Sequence, residues 1–277
     1  MITASLIKEL RERTGVGMAK CKEALEETSG DIDAAIDFLR KQGAASAVKK
    51  ASRETNEGLI RYKEMDDAIF ILELNAETDF VVSNERFTKF HVDLLDEMHK
   101  GRPHSPDSLL QMKSTREKSK TLDELRKELI SVIGENIVVS RAITVKKEKN
   151  ASYGVYSHMG GKILCLVELS GGTGAEALAR EIAMHVAAES PEYLVAADVP
   201  KEVVEKEREI AKSQAPGNKP PQIIEKIIEG KLKAYFDQAC LLNQKFIKDP
   251  SITIADLVQK AGKGLALTKF IRVQVGQ

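Results

Sequence analysis

An internal repeat restricts the fold of this chain more than any other feature. "EGLIRYKEMDDAIFILELN" (57–75) reads as strand, short turn and buried strand, and "ASYGVYSHMGGKILCLVELS" (151–170) reads the same way about 95 positions later. Glu73-Leu74 in the first copy is echoed by Glu168-Leu169 in the second. An amphipathic stretch follows each hairpin, "ERFTKFHVDLLDEMHK" (85–100) and "AEALAREIAMHVAAE" (175–189). Each half then closes on a further strand, "NIVVSRAITV" (136–145) and "TKFIRVQV" (268–275). This order predicts an α+β fold of two related lobes, each a small antiparallel sheet covered by helices.

Ahead of the repeat, three short helices are expected. "TASLIKELRERT" (3–14) puts Leu6, Ile7 and Leu10 on one face, and Gly15 and Gly17 break it. The second helix aligns Met18, Cys21 and Leu25. Gly30 is its candidate C′ residue, and Asp31 is the candidate N-cap of the next. The third lines up Ile32, Ala35, Ile36 and Leu39, after which "GAASAVKKASRETNEG" (43–58) reads as a partly helical linker. In the second lobe, "VPKEVVEKEREIAKSQA" (199–215) and "PPQIIEKIIEGKLKAYFDQ" (220–238) form an insertion, joined by a turn at "PGNKPP" (216–221). Val203, Val204 and Ile210 on one segment, and Ile224, Ile228, Leu232 and Tyr235 on the other, give the narrow apolar stripes of a two-helix antiparallel coiled-coil arm. The expected boundaries are 1–53 for the helical domain and linker, 54–148 for the first core subdomain and 149–277 for the second, with the arm at about 200–240.

The 42 basic and 42 acidic residues balance, so the basic surplus of a nucleic-acid binder is missing and no direct nucleic-acid partner is expected. The first residues lack the apolar core of a signal peptide, and no run approaches the roughly 18 apolar residues of a membrane span. Cys21, Cys165 and Cys240 are odd in number and far apart, which fits a reducing cytoplasm and three small buried hydrophobes.

Few residues suggest chemistry. "GTGAEA" matches G-x-G-x-x-A through Gly172, Gly174 and Ala177, the pattern of a dinucleotide-binding enzyme. The context argues against it, because a hairpin precedes it and no second parallel strand follows, so a flexible strand-to-helix turn is expected. His91, His99 and His104 with Asp96 and Glu97 form the densest ligand cluster, but Gly101 and Pro103 interrupt the helix that would align them. A solvated helix end is expected there, and neither a metal nor a cofactor. His158 falls at or beside a hairpin turn, where a histidine is more often a surface residue than a functional one.

The remaining stretch is "IFILELNAETDFVVSNERF" (69–87), in which a loop leaving a buried strand carries Phe80, Val81 and Val82 next to Asp79. Loops that leave a sheet are usually polar. On one reading the three apolar residues fold back onto the sheet, while Asp79 or Asn84 caps the next helix. On the other, the turn protrudes and its aromatic enters a partner's pocket.

"ELNAETDFV" (73–81) resembles the T-D-F-V signature of the elongation factor Ts family, and "LRERTGVGMAKCKEAL" (10–25) resembles that family's other signature. "GEN" (134–136), "HMGG" (158–161) and "IAMHVAA" (182–188) are similar to further family segments. The resemblance extends along almost the whole chain. It implies a non-enzymatic nucleotide-exchange factor for the GTPase elongation factor Tu, working in translation and without a cofactor. Its fold would be a ubiquitin-associated-like three-helix domain, two related subdomains and a coiled-coil arm.

The family's wedge falls on Asp79 and Phe80, after Thr78 and with Val81, Val82 and Ser83 behind, inserting beside the GTPase's magnesium and phosphate site. His158 matches a histidine that touches the partner, and Arg11, Thr14, Gly15, Gly17, Met18 and Cys21 match the docking signature. The chain departs from the family pattern at Val82, where alanine is frequent, and at Ser83, where a basic residue is. Ala19-Lys20 also replaces a frequent Met-Asp, and no C-terminal helical module follows the last strand. A homodimer stays open.

Overall fold

The structure, a computed structural model, describes residues 2–215 and 220–277. Most of the turn expected at 216–221 therefore lies outside the described residues. The chain forms two compact units, Met1–Lys146 with Gln274–Gln277, and Lys147–Val273.

In the first unit, helices α1 (Ala4–Thr14), α2 (Met18–Glu27) and α3 (Ile32–Lys50) precede strands β1 (Glu57–Glu64) and β2 (Ala68–Ala76). A single helical turn, α4 (Asp79–Val82), then leads to α5 (Glu85–Gly101), α6 (Pro106–Gln111), α7 (Leu122–Ile133) and β3 (Ile137–Lys146). Gly15 ends α1 at φ 72°, a conformation that favours glycine. The Asp31 carboxylate caps α3 by accepting from the Ala34 N–H at 2.9 Å. The small helical core contains Leu10, Val16, Cys21, Ala24, Leu25, Ala35 and Leu39.

Two expectations change here. Met18 is 45 % exposed, because α2 begins at this residue and its first side chain overhangs the core; Ala24 joins Cys21 and Leu25 inside. The first part of the partly helical linker, 43–50, continues α3 as an ordered helix. Gly43 lies against Ser131 of α7 and Ala47 is buried, so tertiary packing extends the helix where the sequence looked ready to break it.

Strands β1, β2 and β3 form an antiparallel sheet with β2 in the centre, and Leu59 and Ile71 of successive strands face Leu74 and Ile143. All nine β2 residues are buried. Phe70, Leu72 and Leu74 pack with Phe87, Leu94 and Met98 of α5 and Ile130 of α7.

The helix end expected to be solvated is not. His91 is fully buried and donates from Nε2 to the Leu72 carbonyl at 3.0 Å. Buried Glu97 accepts from the Thr115 N–H at 2.9 Å and from its hydroxyl at 2.7 Å. His91 is buried against β2, whereas Glu97 is covered by the 113–121 segment, which closes on itself by a Lys113–Thr121 bridge and lies over α5. Of His91, Asp96, Glu97, His99 and His104, only His104 is exposed.

The second unit contains β4 (Ala151–His158), β5 (Ile163–Ser170), α8 (Glu176–Glu189), α9 (Lys201–Ser213) and α10 (Pro221–Ala239). It continues through β6 (Lys245–Phe246), β7 (Asp249–Thr253), α11 (Ile254–Ala261) and β8 (Ala266–Gln274). Its sheet order β4-β5-β8 repeats the three-stranded plan of the first unit, and α8 lies on β4 and β5. The mixed helix-and-sheet class read from the sequence therefore holds. Cys165, Val167 and Leu169 pack with Ile182, Val186, Ile254 and Val258.

Helices α9 and α10 bury Ala211, Ile228 and Leu232, flanked by Val204, Ile224 and Phe236. The α9 stripe is one residue off the expected one, since Val204 and Ala211 share a face at heptad spacing while Ile210 points outward. On α10, Phe236 rather than Tyr235 continues the four-residue spacing of the buried side chains.

All three cysteines are buried and unbridged, and burial pushes their thiols up, Cys165 to about 12. Among the described residues no helix is long and apolar enough to cross a membrane.

Each unit buries one neutral histidine. Burial lowers His91 to about 4 against its hydrogen bond to Leu72, with the Arg61 charge adding to the drop. Burial also lowers His185, against a hydrogen bond to Gln244 and the charge of Glu189. His185 is committed on both nitrogens, with Nε2 3.0 Å from the Gln244 carbonyl oxygen and Nδ1 accepting from the Ile247 N–H at 3.2 Å.

Below the unfolded pKa of about 6.5 the unfolded chain gains protons that the fold refuses. Stability is therefore complete above that pH and falls below it by up to ~1.4 kcal/mol per pH unit for each histidine, the His91 contribution being lost near its folded value of about 4. Urea titrations at about pH 7.5 and pH 5 should show the loss, and equal midpoints would contradict it.

Candidate functional site

Strand β2 delivers the chain into Glu77 and Thr78, and the direction reverses within six residues (79–84). Thr78 is the N-cap of α4, its Oγ1 accepting from the Val81 N–H at 3.4 Å. Ser83 N–H donates to the Asp79 carbonyl at 3.0 Å, and Asn84 N–H to the Val81 carbonyl at 2.9 Å. Asn84 then caps α5 by accepting from the Arg86 N–H at 2.9 Å. Two capped helix starts thus lie back to back, and the segment read as a loop is a helical turn.

That turn divides its apolar residues. Val81 and Val82 are 9 % and 5 % exposed and belong to the first unit's main core, whereas Phe80 is 85 % exposed. Phe80 is the most exposed large apolar side chain among the described residues. Asp79 and Ser83 flank it in solvent. The valines fold back onto the sheet, as one sequence reading had it, and the phenylalanine stands out in solvent. Val81 and Val82 offer no surface to a partner; they anchor the turn.

The N-terminal helices reach the same neighbourhood. Arg86, two residues into α5, has Nη1 3.5 Å from the Gly15 carbonyl oxygen. A shallow groove there is lined by Lys8, Arg11, Gly15, Met18 and Arg86. Of the residues expected for docking, Arg11, Gly17 and Met18 are exposed and Gly15 is half-buried. Thr14 turns inward, its hydroxyl donating to the Leu10 carbonyl at 2.7 Å. Cys21 is corrected outright as a contact residue: it is fully buried, with its thiol 3.4 Å from the Val16 carbonyl oxygen. It occupies the inner face of α2, where no partner reaches.

In the second unit, His158 ends β4 in an exposed position. Its Nδ1 is 3.1 Å from the Tyr156 hydroxyl, and the rings stack with centroids 5.8 Å apart. The Arg180 guanidinium covers Tyr156 at 5.7 Å, so the histidine is propped from beneath. Met159 beside it is 68 % exposed, a feature that the glycine-rich turn gave no means of reading.

The Gly172–Gly174–Ala177 turn offers no phosphate cradle. The Gly174 N–H donates to the Glu176 carboxylate at 3.1 Å and the Ala175 N–H to Ser152 Oγ at 3.0 Å. The Glu176 carboxylate, held low by hydrogen bonds from its own N–H and from the Gly174 N–H, takes up backbone donors that a pyrophosphate would need. The preceding strands β4 and β5 pair antiparallel, which removes the dinucleotide-binding topology. Among the described residues no group of His, Cys, Asp and Glu is arranged to hold a metal ion.

A further contact was missed in sequence. Thr78 gives both its backbone N–H and its hydroxyl to the Glu135 carboxylate, at 3.0 and 2.8 Å. The only signal for it was the segment "GEN" at 134–136.

Comparison with known proteins gives one consistent result. The sequence profile of the family described as Elongation factor TS matches residues 77–277. A protein of Protochlamydia amoebophila named Elongation factor Ts is 52 % identical over 280 aligned positions, covering 100 % of this chain and 99 % of the relative. The protein of that name from Chlamydia muridarum is 47 % identical, with 98 % and 97 % covered. One from Chlamydia trachomatis serovar L2 is 44 % identical over 93 % and 91 %.

Proposed function

We propose that this chain, which belongs to the elongation factor Ts family, binds the GDP form of the GTPase elongation factor Tu and promotes release of the nucleotide. The observation that carries the mechanism is the 85 % exposure of Phe80 on a turn whose other apolar residues are buried. Asp79 and Phe80 form a wedge that enters between helices of the GTPase next to its magnesium and phosphate site. Thr78, Val81, Val82 and Ser83 hold the wedge from behind.

The thermodynamics is reciprocal. If the factor binds best to a GTPase with displaced helices and disordered magnesium, it weakens nucleotide by the same factor that nucleotide weakens it. No covalent bond is made or broken, so the chain is an exchange factor and not an enzyme. Reloading follows whichever nucleotide is in excess, GTP in the cell.

The finer assignments follow from the same reading. Residues 1–53 serve as a ubiquitin-associated-like docking domain, 54–148 and 149–277 as the two core subdomains, and α9 with α10 as a coiled-coil arm. His158, propped on Tyr156, supplies a second partner contact.

The direct test is stopped-flow release of a fluorescent GDP analogue from elongation factor Tu. Concentration-dependent acceleration is expected, and an unchanged release rate sinks the proposal. Docking is tested separately at Met18, which is 45 % exposed beside Arg11 and Arg86. Burial of a methionine contributes roughly 1.5–3 kcal/mol, so Met18→Asp should weaken partner affinity at least about tenfold. The release rate at saturation should barely change. This substitution is cleaner than removal of residues 1–52, which would also strip α3 from α7.

A further inference from the structure

We propose that Glu135 is the positioning residue for the wedge, setting the pose of Phe80 through the hydroxyl of Thr78. The ladder between β2 and β3 ends at the pair Ala76–Ile137, immediately before the chain turns into α4. Beyond that pair, carboxylates replace the missing rungs in both directions. Glu135 accepts the Thr78 N–H at 3.0 Å and hydroxyl at 2.8 Å, while Glu77 accepts the Asn136 N–H at 2.7 Å. Asn136 Nδ2 in turn donates to the Arg53 carbonyl at 3.1 Å. Hydrogen bonds to an ionised acceptor are stronger than neutral ones, so this clasp outlasts an ordinary turn contact.

The Thr78 hydroxyl has one proton and two lone pairs. Donating that proton to Glu135 leaves a lone pair directed at the Val81 N–H, 3.4 Å away. Glu135 therefore fixes the rotamer in which Thr78 caps α4. The turn spans only Asp79–Val82, too short to hold itself by its own backbone bonds. Its orientation depends on the cap at one end and the buried valines at the other, and Phe80 sits between them.

The functional arm of this inference rests on the exchange-factor reading; the structural arm does not. Glu135→Gln keeps the shape and removes the charge and one acceptor. In the free protein, amide exchange at Thr78 and Val81 should accelerate about tenfold, with Leu72 of β2 unaffected. Unchanged exchange at both amides overturns the proposal. So does uniform loss across β2 and α5, which would make Glu135 a general structural residue.

In GDP release, Glu135→Gln should lower the saturating rate about tenfold and shift the half-saturating concentration much less. It should have no further effect in a Phe80→Ala background, whereas additive slowing there overturns the proposal. Thr78→Val should reproduce the defect, and Thr78→Ser, which retains the hydroxyl, should restore most of the rate. If the unaltered protein fails to accelerate release, the exchange reading falls and the amide measurements alone decide the role of Glu135.

Discussion

Replacing Phe80 with alanine should slow nucleotide release from elongation factor Tu at saturating factor by roughly ten- to a hundredfold, with stability almost unchanged. Burying a phenylalanine is worth roughly 1.5–3 kcal/mol, and each ~1.4 kcal/mol of coupling is a factor of about ten. That energy is realised only when the ring leaves water inside the partner, because Phe80 is 85 % exposed in the free chain. An exposed substitution of this kind changes unfolding free energy by no more than about 0.5 kcal/mol. Stopped-flow release paired with a urea titration separates the two quantities. Equal release rates for the variant and the parent would return Phe80 to the status of an ordinary surface residue. Loss of stability matching the loss of rate would make it a packing residue.

The largest effect on stability is expected at Gly154, in the middle of β4. A Cβ there would overlap the backbone of Ala179 and Arg180, where α8 crosses the sheet. The obstacle is main chain, so no side-chain rotamer relieves it. The helix must lift, which opens the packing around Ile182 and Ala183. Gly154→Ala should cost about 3 kcal/mol, the upper part of the overpacking range. Gly230→Ala, in the exposed interior of α10 with open space around it, should instead stabilise by about 0.5–1 kcal/mol. Chemical denaturation of both variants tests the pair, and the same sign for both would contradict the structure.

What could be read in advance followed the length of the pattern. The two hairpins, α5, α8 and the three N-terminal helices span enough residues for a period of two or 3.6 to show. The division between Phe80 and Val81–Val82 was illegible because α4 is one turn long, and one turn has no repeat to phase it. Burial of Glu97 was hidden for a different reason: its cause is the 113–121 segment, which has no periodicity and lies far along the chain. The close contact at Gly43 was hidden likewise, since its neighbour Ser131 stands nearly ninety positions away. The one-residue shift of the α9 stripe reflects two adjacent apolar candidates at 203 and 204, between which only the partner helix decides. Resemblance singled out Asp79 and Phe80; periodicity alone left them undecided.

The position of Phe80, just beyond the end of β2, has a mechanical consequence. A load on Phe80 reaches, through Thr78 and Glu77, the central strand of a three-stranded sheet. Sliding that strand would shear the ladders to β1 and β3 together, and a slip of one residue would turn its buried side chains to the opposite faces. On the proposed insertion the strand would act as a stiff pushrod, passing a load on Phe80 into the three-stranded sheet of the first unit.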